Sequence, residues 1–175
     1  MILRAILAAL LAAGAAQAQH SHSHSPYAGQ ERRPVAALSE QEIDDLRSGA
    51  GMGMALPAEL NGYPGPRHVL DLADRLGLTT AQRASAEQSF AAMRKSAMPL
   101  GEEVIAAEMA LGRLFADAKA TPAAVAEASD RVARLRGELR AVHLAAHIDM
   151  HALLGAEQRA AYDRLRGYGG HHKAH

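Results

Sequence analysis

The fold is decided by residues 78–114, which read LTTAQRASAEQSFAAMRKSAMPLGEEVIAAEMALGRL. Thr79 stands where a helix N-cap is expected and Gln82 three residues later, a pair that forms a capping box at a helix start. The apolar residues that follow recur in steps of four and three, as on one face of a packed helix: Ala86, Phe90, Met93, Ala97, Leu100, Val104, Ala107, Leu111 and Leu114. The segment is therefore predicted to be one long helix, which Pro99 should kink or split near Met98.

A second long helix is predicted after a short connection. Thr121 and Pro122 supply a start signal, with proline at the first helical position. The same spacing then returns in a seam that Asp149 interrupts and Leu153 rejoins: Val125, Ala128, Val132, Leu135, Leu139, Val142 and Ala146. Two such helices with a short connection form an antiparallel hairpin. One hairpin cannot bury both of its faces, so flanking helices or a second subunit must cover the rest, and a homodimer is the natural solution.

Short helices are expected on both sides of the hairpin. Ser39 and Glu42 form a second capping box, which predicts a helix that ends near Ser48. Residues 49–66 are rich in glycine and proline and are predicted to be a loop. A further short helix is expected over residues 68–76, with Gly77 as its stop. A last helix should run from residue 155 to about residue 166.

The N-terminus has the pattern of an export signal. Arg4 precedes an apolar stretch that is too short to span a bilayer, and Ala16 and Ala18 fit a signal-peptidase site. A cleaved signal is favoured over a retained anchor. We therefore expect a signal peptide over residues 1–18 and a disordered, histidine-containing leader over 19–37. An all-α domain over 38–168 and a histidine-rich tail over 169–175 follow. The expected location is the periplasm.

The composition excludes several classes of protein. The chain has no cysteine, so disulfides, thiolate metal sites and cysteine nucleophiles are excluded. Loss of Arg4 with the signal leaves 18 basic residues against 19 acidic ones, which argues against nucleic acid as a partner. No HExxH, GxSxG or phosphate-binding glycine loop is present in the sequence, so the protein is not expected to be an enzyme.

Two short motifs carry a resemblance to a known family. Residues 78–82, LTTAQ, match the LTxxQ motif of small periplasmic helical proteins, and residues 154–158, LGAEQ, followed by Arg159 and Tyr162, look like its second copy. In that copy Gly155 replaces the usual threonine. Two copies at opposite ends of a helical hairpin resemble the Spy/CpxP chaperones and the CnrX- and ZraP-type heavy-metal-resistance sensors. The stretch ELNGYPGP at residues 59–66, with His68, also looks like a version of this family from metal-resistant bacteria.

The resemblance implies a cradle-like homodimer of the envelope without catalysis. Members of this family bind unfolded proteins, restrain a membrane-bound stress regulator or bind transition metals. No obligatory cofactor is expected, and the candidate ligand is a transition-metal ion: Cu, Zn or Ni. The CnrX-like sensors place histidine and methionine one turn apart on this helix, which makes Met150 a candidate ligand beside the histidines described next.

A histidine stripe on the second long helix is the main candidate metal site. His143, His147 and His151 recur every four residues, and imidazoles at this spacing meet on the helix surface, where they can bind one metal ion. The stripe is predicted to point away from the hydrophobic seam. Further ligands would come from elsewhere: His68, Glu108, Met109 or a second subunit. The alternative is that these histidines are solvated or line a dimer contact.

Other histidines and methionines are auxiliary candidates. Histidines at both termini, which suit Cu(II), Ni(II) or Zn(II), are either auxiliary metal ligands or a solubilising tail: His20, His22, His24, His171, His172 and His175. Met52 and Met54 are either thioether ligands for Cu(I) or a packing plug. The methionines at 93, 98 and 109 are either core residues or an adaptable surface for clients.

The sequence thus favours a periplasmic heavy-metal-binding or metal-sensing protein, which acts in an envelope stress or metal response. The histidine content tilts the choice in this direction, although six of the ten histidines lie in the tails. The alternative is an ATP-independent, Spy-like chaperone that binds unfolded periplasmic proteins.

Overall fold

The computed structural model describes residues 25–168 and divides the chain into two units, Met1–Glu31 and Arg32–His175. Of the first unit it describes a turn in which the backbone amide of Ala28 donates to the Ser25 carbonyl oxygen, 2.9 Å. The predicted signal peptide and residues 19–24 of the predicted leader lie outside the described residues.

The described residues form helices and contain no strand, which confirms the all-α class. A 3₁₀ helix spans Gln30–Arg32. The α-helices are α1 Glu40–Ser48, α2 Leu56–Glu59, α3 Pro66–Asp71, α4 Thr80–Ala116, α5 Pro122–Leu153 and α6 Ala156–Arg166. Among them, none combines the length and apolar character needed to cross a membrane.

The predicted hairpin is confirmed as α4 and α5, and both helices begin at the predicted caps. The Thr79 hydroxyl accepts from the Gln82 amide at 3.1 Å, and the Thr121 hydroxyl accepts from the Ala124 amide at 3.2 Å. These bonds satisfy backbone donors that have no partner inside the helix. The short connection turns at Ala118, whose φ is 55°.

Pro99 does not split α4, which spans 37 residues and continues past the proline without a break. A proline inside a helix removes one backbone hydrogen bond, but packing on this turn holds the helix together. Ala97 is fully buried, and Gly101 lies directly under the backbone of α1 at Leu46. A Cβ at Gly101 would collide with the Leu46 carbonyl. The expected split is therefore wrong, because tertiary contacts outweigh the local cost of the proline.

Two apolar clusters cover the hairpin. The first joins Val35, Leu38 and α1 to the middle of α4 and the first half of α5. The second joins α3 and α6 to the start of α4 and the end of α5, around Val69, Met150 and Tyr162. The flanking helices therefore supply part of the cover that a lone hairpin lacks. Because Val35 is 3% exposed, packing already includes a residue of the predicted leader.

The α5 seam does not follow the predicted course, and this changes the histidine stripe. The buried positions are Val132, Leu135, Leu139, His143, Ala146 and Met150. A straight helix has 3.6 residues per turn, so a face with a 3.5-residue repeat drifts around it. The seam consequently moves from Val142 to His143 and then to Met150. The prediction that the stripe points away from the seam is wrong for His143, and His147 and His151 are half-buried.

The prediction that residues 49–66 form a loop throughout is wrong. They contain α2, and α3 begins at Pro66, two residues before the predicted start, and ends at Asp71 rather than at Leu76. Each of these short helices has a proline in its first turn, where the missing amide hydrogen costs nothing. The prolines therefore mark helix starts. Gly77, with φ 60°, ends the turns that follow α3.

Candidate metal site

The two LTxxQ-like motifs meet in space and form a hydrogen-bonded clamp. The Gln82 side-chain amide donates to the Gln158 side-chain oxygen at 2.9 Å, and Gln158 donates back at 3.1 Å. Gln82 also donates to the Leu153 carbonyl at 3.1 Å, and Gln158 to the Leu76 carbonyl at 3.3 Å. The sequence placed the copies at opposite ends of the hairpin. Because the hairpin is antiparallel, both copies lie at its open end.

The second motif keeps half of its capping box despite the glycine. The Gly155 amide donates to the Gln158 side-chain oxygen at 2.9 Å, as the Thr79 amide does to the Gln82 oxygen at 3.1 Å. What is missing is the side-chain acceptor that Thr79 offers in the first copy. The glutamine is thus the functional part of the motif in both copies, because it caps its own helix and binds the other motif.

A cavity of about 560 Å³ lies between the hairpin, the glycine-rich segment before α2 and the start of α3. The glycine-rich segment, α2, α3 and the hairpin line it with side chains of types that can bind a metal ion: Met52, Glu59, His68, Met93, His143 and His147. The hairpin supplies two of the imidazoles and the Met93 thioether. We call this space the cavity.

His143 is the most constrained of these side chains. It is 2% exposed, and its Nε2 atom has no hydrogen-bond partner among residues 25–168. Buried polar atoms almost always have a partner, so this atom calls for an explanation. Burial, followed by the charge of the neighbouring His147, lowers the pKa of His143 below its ordinary value. The ring is therefore neutral at neutral pH, which is the form that binds a metal ion.

His147 is held by the backbone of the segment before α3. Its Nδ1 atom lies 2.8 Å from the Tyr63 carbonyl oxygen. Because a carbonyl only accepts, Nδ1 carries a hydrogen, so Nε2 is the nitrogen of this ring that can bind a ligand in the neutral form. Gly65 makes room for this ring, since a Cβ there would lie 2.9 Å from both Cε1 and Nε2 of His147.

Glu59 is the centre of a buried polar network, which we call the Glu59 cluster. Its Oε1 atom accepts from the hydroxyl of Tyr162 at 2.5 Å and from that of Tyr168 at 3.1 Å. Arg166 Nε lies 3.4 Å and His68 Nδ1 3.5 Å from the same oxygen. The other oxygen accepts from the Gly65 amide at 3.2 Å. The carboxylate therefore ties α2 and α3 to α6.

The Glu59 cluster also fixes the state of its tyrosine. Burial, and then the hydrogen bond to the Glu59 carboxylate, raises the pKa of Tyr162. The phenol therefore stays protonated and donates. Tyr162 is the tyrosine that follows the second motif, so the cluster links this motif to the ELNGYPGP stretch. The sequence motifs include both the ELNGYPGP stretch and Tyr162, but no feature of the sequence predicted the contact between them.

The four predicted ligands on α5 do not converge on one point. His143 and His147 line the cavity. His151 instead stacks on the Tyr63 ring, with 4.2 Å between ring centroids. Met150 is 1% exposed and belongs to the second apolar cluster. Over residues 25–168, no three His, Asp or Glu side chains are grouped closely enough to hold a metal ion.

The remaining candidates also separate. Glu108 pairs with Arg136 at 2.7 Å, and Met109 packs on the first apolar cluster. Met52 lines the cavity, whereas Met54 packs against the first cluster. His68 alone among the proposed additional ligands reaches the cavity. The terminal candidates, His20, His22, His24, His171, His172 and His175, lie outside the described residues, and their role stays a prediction.

The fold and the paired motifs define a class of small helical-hairpin proteins. The sequence pattern of the heavy-metal-resistance family matches residues 47–161, which is more than half of the chain. The protein belongs to this heavy-metal-resistance family. The resemblance drawn from the two motifs is thereby confirmed. No curated protein and no solved structure matches the chain.

Proposed function

We propose that the protein is a non-enzymatic, periplasmic heavy-metal-binding protein that acts in a metal or envelope stress response. The metal ion would be held by the imidazoles of His143 and His147 in the cavity. The observation that carries the proposal is the buried His143 Nε2 atom, which has no partner within the described residues. A metal ion beside this atom would explain why a polar group is kept there.

The surroundings of both rings support this assignment. The His147 Nδ1 atom is engaged by the Tyr63 carbonyl, which orients the ring and leaves Nε2 for a ligand. Metal-binding histidines commonly have such a second hydrogen bond. The two rings are four residues apart on α5, a spacing at which neighbouring side chains meet. A site of this kind favours neutral imidazoles, and burial keeps His143 neutral.

The wider role rests on the family and on the predicted signal peptide. Heavy-metal resistance is the description of the family that matches the chain. We extend it to a sensing role in which the metal-bound protein, as a homodimer, signals to a membrane-bound regulator. The predicted signal peptide supports a periplasmic location, and the near-neutral charge balance argues against nucleic acid as a partner.

Calorimetric titration with Cu(I), Cu(II), Zn(II) and Ni(II) tests the proposal. The double variant His143→Gln/His147→Gln should lose one binding site or at least tenfold in affinity. His151→Gln is the matched control, because this ring lies on the same helix but stacks on Tyr63. The terminal histidines contribute equally to all samples. Unchanged affinity in the double variant, with an unchanged circular dichroism spectrum, would refute the site.

The chaperone role is the second candidate, and exposed apolar side chains favour it. Leu56 on α2 is 53% exposed, Leu60 directly after α2 is 57% exposed, and Ile148 on α5 is 58% exposed. Such side chains can hold unfolded chains when they form a continuous surface. Light scattering of an unfolding client, with and without chelator, tests this role. Suppression at a one-to-one ratio without metal, lost in Leu56→Ser/Leu60→Ser, would support it.

A further inference from the structure

The side chains of the cavity that remain available to a metal ion differ chemically from the one that is already engaged. The carboxylate of Glu59 is the hard ligand of the cavity, and it is already engaged by two tyrosine hydroxyls, the Gly65 amide and Arg166. A metal ion that took this carboxylate would leave those buried donors without their acceptor, which is costly. The ligands left over are imidazole nitrogens and thioether sulfurs.

Met52 and Met93 line the same cavity as His143 and His147. Met93 reaches it from α4, the other helix of the hairpin, and Met52 reaches it from the glycine-rich segment. Met52 has a positive φ of 46°, which residues other than glycine seldom adopt. Such strain persists only where the surroundings impose it, and it collects at ligand sites. Met52 is also 36% exposed, so its thioether is not buried in a core.

The charges around the cavity favour a monovalent over a divalent ion. Arg67, Arg94 and Arg166 line it. Arg67 pairs with Asp71 at 3.5 Å and Arg166 with Glu59 at 3.4 Å, whereas Arg94 donates to the Ser48 carbonyl oxygen. Imidazole and thioether ligands are neutral, so they offset none of the charge that an ion brings. Repulsion from the guanidinium groups therefore grows with the charge of the ion. A singly charged ion meets about half the repulsion of a doubly charged one.

From these observations we infer that the cavity selects a soft monovalent ion, Cu(I) or Ag(I), held by His143, His147, Met93 and Met52. Thioethers prefer such ions, whereas Zn(II) and Ni(II) prefer nitrogen and oxygen ligands. No third His, Asp or Glu completes a site among residues 25–168, so the thioethers supply the missing ligands. This inference rests on the proposed metal-binding function and narrows the class of ion.

Nuclear magnetic resonance of the protein with ¹³C-labelled methionine methyl groups tests the inference. Addition of Ag(I) should shift the methyl signals of Met52 and Met93, because the sulfur beside each methyl becomes a ligand. The signals of Met54, Met109 and Met150 serve as internal controls, since these side chains pack in the apolar clusters. Zn(II) should leave all methionine signals unchanged.

Variants give an independent measurement on the same site. Met93→Leu and Met52→Leu should each lower Cu(I) affinity at least tenfold in a competition titration with a colorimetric Cu(I) chelator. Zn(II) affinity should change less than twofold. Met98→Leu is the matched control, because Met98 is 40% exposed and lies outside the cavity lining. Leucine has nearly the volume of methionine, so the fold should tolerate all three changes.

The outcomes separate this inference from the proposed function. If Ag(I) shifts the ring signals of His143 and His147 but no methionine signal, the inference fails and metal binding stands. If Zn(II) binds the two histidines more tightly than Cu(I), the inference also fails. If no metal ion shifts either ring, the proposed function fails together with it. Shifts at Met54 or Met109 in place of Met52 and Met93 would overturn the assigned ligands.

Discussion

Replacing Glu59 by glutamine removes a negative charge from the Glu59 cluster while the side chain keeps its size. The carboxylate is 6% exposed and accepts the hydroxyls of Tyr162 and Tyr168. Hydrogen bonds to a charged acceptor contribute about 1.5–3 kcal/mol each, and neutral ones about 0.5–1.5 kcal/mol. The two tyrosine bonds should therefore weaken by roughly 2 kcal/mol in total.

The glutamine amide also introduces a conflict. One of its terminal atoms becomes an NH₂ group, which cannot accept from the Gly65 amide or from the tyrosines that face it. A buried donor left without an acceptor costs about 1–3 kcal/mol. The Arg166 ion pair adds little, because that side chain is 33% exposed and its interaction is screened. We expect Glu59→Gln to lower the free energy of unfolding by about 3 kcal/mol.

Urea denaturation, followed by circular dichroism at 222 nm, measures this loss. For a chain of this size, about 3 kcal/mol corresponds to a fall in Tm of roughly 6–12 °C. A double-mutant cycle with Tyr162→Phe should give a coupling energy of at least about 1 kcal/mol, since the two groups share one hydrogen bond. Tyr27→Phe is the control at an exposed phenol and should change stability by less than about 0.5 kcal/mol. A loss below about 0.5 kcal/mol for Glu59→Gln, or no coupling, would refute the reasoning.

Three further predictions concern packing, the motif clamp and pH. Gly101→Ala should destabilise the protein by about 1–3 kcal/mol, because the added Cβ meets the backbone at Leu46. Gly137→Ala, where the added Cβ has open space, should stabilise it by about 0.5–1 kcal/mol. The urea midpoints of the two variants measure this difference. Gln82→Ala and Gln158→Ala should each cost about 1–2 kcal/mol, and simple additivity in the double variant would contradict a shared clamp. Because the pKa of His143 is lowered in the folded state, the unfolded chain binds its proton first, so stability should fall as pH drops below about 6.5. His143→Gln should make the urea midpoint less dependent on pH in this range. An unchanged slope would contradict the assignment of the stability loss to His143.

Three helix starts could be read accurately from the sequence. Ser39, Thr79 and Thr121 all cap helices that begin at the next residue. Each cap is a hydrogen bond to a backbone amide three residues along the chain. An interaction that closes within one turn needs no information from the rest of the fold. The same locality explains why the glycine-rich stretch was misread, since Pro57 and Pro66 are compatible with both a loop and a first helical turn.

The candidate site could be read only in part. The spacing of His143 and His147 indicated a pair, but their burial depends on how far the seam drifts around α5 and on which helices cover it. A stripe whose members lie one turn apart can thus split among a cavity, an apolar cluster and an aromatic ring. For this reason His151 and Met150 lie outside the cavity. Met93, which was expected either in the core or on an adaptable surface for clients, lines the cavity.

The sequence by itself determined the all-α class, the hairpin, its caps and the family. These features follow from hydrogen bonds within a turn and from a periodic apolar face, both of which are local. Tertiary structure alone decided that Glu59 meets Tyr162, 103 residues further along the chain, and that the two motif glutamines bind each other. Such pairs depend on the direction in which whole helices pack. That direction is set by the summed burial of many side chains, which no short stretch of sequence encodes.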